Sequence, residues 1–292
     1  MRINNILFLA AASCLLLAGC EKGLDNSPRS INIEAGIGPM TKVKYEGDSA
    51  SFQSGDKISV YAWTGSADEV AETLTVDGVV NTLDDAGKWT PASPMLWEDK
   101  TSKHYFLGIS PSREVTDFAA DSYTLDPAKQ AASDLMIATN VEGLTPSNTP
   151  VSLNFTHTLA RLDVNLTFRN QWEATPTVAS VAATAKKSAT VDYLARKFTA
   201  KGSAVAVPIV KGTDAKWSGL QVPQTGVKVI TITIDGKDYV FTHTDDIPLV
   251  GGKYTTVNLI VGRDRIELDK TGITIADWIA GTTISDGEAQ DD

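Results

Sequence analysis

Val151-Ser152-Leu153-Asn154-Phe155-Thr156-His157-Thr158-Leu159-Ala160-Arg161-Leu162-Asp163-Val164-Asn165-Leu166-Thr167-Phe168 alternates apolar and polar residues, but in two phases. Up to Leu159 the apolar side chains fall on odd positions (Val151, Leu153, Phe155, Leu159), and His157 shares that phase. In the second half they fall on even positions: Leu162, Val164, Leu166 and Phe168. A strand turns successive side chains to opposite faces, so each half reads as a half-buried strand. A period of two cannot change phase without an extra residue or a break. A bulge or bend is therefore expected at Ala160-Arg161.

The surrounding sequence repeats the strand signature. Ile31-Asn32-Ile33-Glu34 alternates. Lys57 to Trp63 puts Ile58, Val60 and Ala62 on one face and Tyr61 and Trp63 on the other. His104 to Ile109 is a further strand, ended by Ser110-Pro111. Asp235-Gly236 between Val229–Ile234 and Tyr239-Val240-Phe241 is a hairpin signal. Gly251-Gly252 precedes another strand, Tyr254 to Val261, and Arg265–Leu268 and Ile273–Ile279 follow. β-Branched residues dominate these runs. Many short strands with turn signals between them indicate an all-β chain of sandwich type rather than a parallel α/β sheet. Helices are scarce. Asp126–Asn140 fits one short helix after Pro127, and Ser180–Leu194 is alanine-rich and open between helix and strand. The polar run Arg169–Thr177, with Pro176, suggests a domain boundary near residue 170. Residues 31–169 then form an N-terminal sandwich and 170–292 a C-terminal one. Ser285–Asp292 is small, acidic and expected to be disordered.

The first residues are of another kind. Arg2 is followed by an apolar run from Ile6 to Ala18 and by Leu17-Ala18-Gly19-Cys20. A basic start, an apolar stretch and small residues before a cysteine mark a bacterial lipoprotein signal, cut between Gly19 and Cys20. The run is shorter than the roughly 20 residues that span a bilayer. The expectation is a signal peptide over 1–19, a lipidated linker over 20–30 and a mature protein held outside the cytoplasm by acyl chains on Cys20. Removing residues 1–19 leaves 273 of the 292 residues and takes Cys14 with it. Cys20 is then the one remaining cysteine, which excludes an internal disulfide and a thiol nucleophile. Loss of Arg2 alone moves the formal net charge from −10 to −11. An acidic surface argues against nucleic acid as a partner.

No pattern makes a case for catalysis, a metal or a cofactor. His157, in the inward phase, reads as a ligand or general base or, preferably, as a core histidine. His104 and His243 read as surface or cross-strand residues, and none has the HExxH spacing that binds zinc. The acids Asp84-Asp85, Asp245-Asp246, Asp264 and Asp291-Asp292 read as solvated turns. Among the tryptophans, Trp63, Trp97 and Trp278 adjoin apolar strand residues and are expected in the core. Trp89 and Trp217 lie in polar, turn-rich surroundings and are the candidates for exposure, where they could offer a sugar platform.

Several segments resemble the Mfa-like fimbrillins. Phe52-Gln53-Ser54-Gly55-Asp56-Lys57-Ile58-Ser59-Val60-Tyr61-Ala62 is similar to that family's opening motif. Gln130 with Ser133-Asp134-Leu135-Met136-Ile137-Ala138 and Phe155-Thr156-His157-Thr158-Leu159-Ala160-Arg161-Leu162 resemble two later ones. Gly251-Gly252-Lys253-Tyr254 and Ile275-Ala276-Asp277-Trp278 resemble the closing strands. The resemblance implies two tandem transthyretin-like β-sandwiches and a subunit of type V pili, an adhesion structure of the outer membrane. It implies partners that are other pilus subunits, a lipid-anchored precursor, and a trypsin-like protease that removes the first strand. The groove left behind would accept a strand from the next subunit. The first strand here is Ile31 to about Ile37, so the cut falls in Met40–Tyr45, where Lys42 and Lys44 are the basic residues; the family's usual site is an arginine. Cutting at Arg29 would free the lipid but leave the groove filled. The donor candidate is Ile273–Ile279, with Ile273, Ile275, Trp278 and Ile279 as anchors, against the reading that it is the last strand of its own sheet. The alternative function is a surface glycan-binding lipoprotein of a nutrient-uptake system, which requires exposed, coplanar aromatics. A host or glycan ligand is compatible with either.

Overall fold

A computed structural model describes residues 30–38, 51–212 and 215–278. In chain order the strands are β1 (Ile33–Ile37), β2 (Lys57–Thr64), β3 (Val76–Leu83), β4 (Trp89–Pro91), β5 (His104–Ser110) and β6 (Asp121–Thr124). A single helical turn, α1 (Gln130–Ser133), precedes β7 (Met136–Leu144), β8 (Val151–His157) and β9 (Ala160–Phe168). Then come β10 (Val178–Ala185), β11 (Ser188–Asp192), β12 (Lys197–Lys201), β13 (Val205–Lys211) and β14 (Lys216–Gln221). The last are β15 (Val229–Ile234), β16 (Lys237–Thr242), β17 (Lys253–Val261) and β18 (Ile266–Asp277). The fold is all-β, as the alternation requires.

The strands form three sheets. The first runs β1-β8-β7-β5-β2-β3-β4, the second β16-β15-β10-β13-β14-β9-β17-β18, and a small third sheet β12-β11-β6. Pairing is antiparallel except for β1 on β8 and β17 on β9. The first sheet curls until its two edges approach: Ile31 N–H donates to Met95 O at 2.8 Å, just beyond β4.

The phase change in 151–168 is a change of sheet. β8 ends at His157 in the first sheet and β9 starts at Ala160 in the second. Val151, Leu153 and Phe155 fill one core with Ile58, Val60 and Phe106. Leu159, Leu162, Val164 and Leu166 fill a different one, with Val181, Ile232 and Val257. The expected bend is therefore a handover between two cores, and no extra residue bulges from a single strand. The first sheet is covered on both faces. From β2, Ile58, Val60 and Ala62 join the first core, while Tyr61 and Trp63 join the second.

Three local readings are decided by this packing. Ser180–Leu194 becomes β10 and β11 because Val181, Ala183 and Ala185 are all buried at a period of two, which outweighs the helix preference of alanine. The expected helix in 126–140 is cut to one turn, because Met136 and Ala138 are drawn into the first core and Ile137 into the second. Asp235 and Gly236 both have positive φ, 50° and 75°, the type I′ turn of a two-residue hairpin.

Gly108 in β5 is a point of close approach. A Cβ there would lie 2.7 Å from Phe155 Cζ and 3.1 Å from Leu153 Cδ1. Gly108→Val is expected to cost about 1–3 kcal/mol by overpacking, read as a lower urea midpoint. An unchanged midpoint would show that the β5–β8 face has room to spare.

Candidate functional site

The site is the edge of the first sheet that β1 occupies. Ile31 and Ile33 are 2% and 7% exposed, with Ala35 and Ile37 partly buried behind them on the same face. Asn32 and Glu34 point to solvent. The strand lies parallel to β8, Ile33 opposite Val151 and Ile37 opposite Phe155. Val151 N–H donates to Asn32 O at 2.8 Å and Gly38 N–H to Phe155 O at 2.7 Å. Beneath it lie Phe155, Met95 and Trp97, and Phe52 meets Phe155 and Trp89 edge-to-face at 5.3 and 5.1 Å. β1 is thus an apolar plug between β8 and the segment after β4. Without it, the outer edge of β8 and an apolar floor would face water, a state that invites another strand. A single cut between β1 and residue 51 would separate the plug from every other described strand.

The anticipated residues fall in different places. Gly19, Cys20, Lys42, Lys44 and Ile279 lie outside the described residues, as does Ser285–Asp292. Ile273 and Ile275 lie in β18, opposite Val257 and Thr255 of β17. β18 is the edge strand of the second sheet, and Ile275 is 43% exposed.

Trp278 closes that strand and is 6% exposed. Its ring stacks on His157 at 3.9 Å between centroids with 1° between planes, and its backbone N–H donates to Gly252 O at 2.9 Å. The Arg161 guanidinium sits 5.6 Å from the Trp278 ring centre and 4.8 Å from that of Tyr254. It is fixed by a two-point contact to Asp163 at 2.9 and 2.7 Å. His157 Nδ1 lies 2.8 Å from Asp134 Oδ2. The handover between sheets thus clamps the end of the last described strand. Nothing in the sequence pairs His157 with Trp278. The visible sign was His157 in an inward phase.

Two expectations are corrected. Trp89 and Trp217 are 6% and 5% exposed, so neither offers a sugar platform. Trp89 packs on Phe52, and Trp217 points into the second core. Among the described residues the remaining tryptophan outside a core, Trp172, is half-buried. Of the two readings of His104, the cross-strand one holds: it opens β5 opposite Thr64 of β2 and is fully buried. Its Nδ1 donates to Ser102 O and its Nε2 accepts from Glu98 N–H, both at 3.0 Å, which satisfies the neutral ring inside the fold. Among the described residues no group of three or more His, Cys, Asp or Glu side chains could hold a metal ion.

The fimbrillin-like family profile matches residues 41–278. The chain belongs to the fimbrillin-like family. The match begins a few residues after β1 and ends at Trp278. A Bacteroides uniformis protein named "Putative fimbrium subunit Fim1C" is 24% identical, covering 95% of this chain and 96% of its own. Two crystal structures, each described as a "putative cell adhesion protein", share the fold of this fimbrillin-like chain. The one from Bacteroides uniformis has a TM-score of 0.65 and 20% identity, over 86% of this chain and 98% of its own. The one from Bacteroides ovatus has a TM-score of 0.68 and 15% identity, over 87% and 99%.

Proposed function

We propose that this fimbrillin-like chain is a structural subunit of a cell-surface adhesive pilus, exported as a lipoprotein on Cys20 and assembled by strand exchange. The observation that carries the reading is edge strand β1 with the residues just before it: buried Ile31 and Ile33 seal an apolar groove, and one connecting segment ties them to the remaining described strands. Family membership and the fimbrium name of the 24% identical relative support the same role. A cut after Lys42 or Lys44 removes β1 together with the lipid. A strand of the next subunit then takes its place. Ile273–Ile279 is the donor in this scheme: its first residues, up to Asp277, belong to edge strand β18, which among the described residues pairs with β17 alone and carries an exposed Ile275. Each isoleucine that becomes fully buried in the groove contributes about 1.5–3 kcal/mol.

A synthetic peptide of residues 272–282, added in excess to subunits freed of residues 1–44, is expected to occupy the groove and suppress polymer formation. A scrambled peptide is expected to leave polymerisation unchanged. Equal polymer with both peptides would exclude this segment as donor.

A further inference from the structure

A groove of about 930 Å³ runs beside the point where the described chain ends. Gly251 and Val250 line it, and the next residue, Gly252, accepts the Trp278 N–H. The described chain therefore ends at the rim of this groove. Lys186, Arg196 and Lys197 also line it, with apolar floor from Phe198, Pro223 and Leu249. Among the described residues no carboxylate forms an ion pair with any of the three cations. Arg196 reaches only hydroxyls, Thr156 at 3.0 Å and Thr139 at 2.8 Å. The one acid in the lining, Asp246, is engaged by Gly226 N–H at 2.7 Å and lies 3.9 Å from Lys228.

The departing segment is complementary in sequence. Ile279, Ala280 and Ile284 come first; Asp286, Glu288, Asp291 and Asp292 follow, with no Lys or Arg. Fourteen residues reach up to roughly 45 Å when extended, enough to cross a groove of this size. We propose that residues 279–292 dock in this groove of their own chain, the apolar start on Phe198, Pro223 and Leu249 and the acids on Lys186, Arg196 and Lys197. Opposite charges in a partly enclosed cleft attract more strongly than on an open surface. Docking holds the segment beyond Trp278 against its own subunit and away from neighbours.

Zero-length carbodiimide cross-linking of the uncut, monomeric chain, read by mass spectrometry, tests this without any polymer. The expected result is amide links from Asp286, Glu288, Asp291 or Asp292 to Lys186 or Lys197 within the monomer band. Arg196→Glu with Lys197→Glu, at an exposed turn position and the exposed first residue of β12, is expected to lower the remaining Lys186 links about fivefold or more. Links spread evenly over distant lysines such as Lys237, links confined to a dimer band, or links unaffected by the charge reversal would each overturn the proposal. Because the uncut monomer is used, that outcome leaves strand exchange untouched, and failed polymerisation leaves this docking untouched.

Discussion

A chain carrying Lys42→Ala and Lys44→Ala is expected to keep β1 and stay monomeric, while the unaltered chain, treated with a trypsin-like protease, passes into a ladder of oligomers that survives detergent without boiling. The reason is the position of β1. Ile33 and, just before the strand, Ile31 are almost wholly out of water, and the backbone here is bonded to β8 on one side and, through Ile31, to Met95 on the other. While β1 is in place, an incoming strand meets an occupied edge. Two buried isoleucines represent about 3–6 kcal/mol, which corresponds to roughly a hundredfold to ten-thousandfold preference for the filled groove. The occupant in cis is also tethered, and its high effective concentration raises the barrier further. Removing both lysines should thus abolish the ladder rather than weaken it. Arg29→Ala is the matched control: it lies before the strand, and its loss should leave the ladder intact. A full ladder from the double variant would mean that the groove is opened in some other way.

Trp278→Ala is expected to be the most destabilising single substitution near the site, by about 3–5 kcal/mol. The ring is 6% exposed and lies flat on His157 with the Arg161 guanidinium nearby, so truncation leaves a cavity and bares two polar side chains that it now covers. The effect should be local as well as global. Amide exchange is expected to accelerate in the second half of β18, where Ile275 pairs with Thr255 and Ala276 with Tyr254, more than in β10 or β15. Trp278→Phe should recover most of the loss, because a ring can still lie on His157. A cost below about 1 kcal/mol, the ordinary effect of a surface change, would show that the stack does not hold the strand. If β18 is the donor, Trp278 is also the residue that has to be released before donation.

What could be read in the sequence follows from what is local. A strand's period of two is written in consecutive residues, so the phase change in 151–168, the two faces of β2 and the Asp235-Gly236 turn were all legible. The phase change was even more informative than a bend, since each phase matches a separate core. The misses share a cause. Trp89 and Trp217 sit among polar turn residues, and only distant neighbours, Phe52 for the first and the second core for the other, bury them. The first strand was legible as a strand, but its parallel seat on β8 was not: parallel partners come from distant parts of the chain and leave no turn signal. The clamp of His157 and Arg161 on Trp278 is of the same long-range kind.

The central claim is that β1 is temporary, and with it the lipid on Cys20. Its most direct test is mass spectrometry of the N-terminus of the protein taken from the cell surface. The account predicts an N-terminus at Val43 or Tyr45 in the oligomers that survive detergent. An acylated Cys20 at the N-terminus of every molecule, with monomer alone, would contradict it.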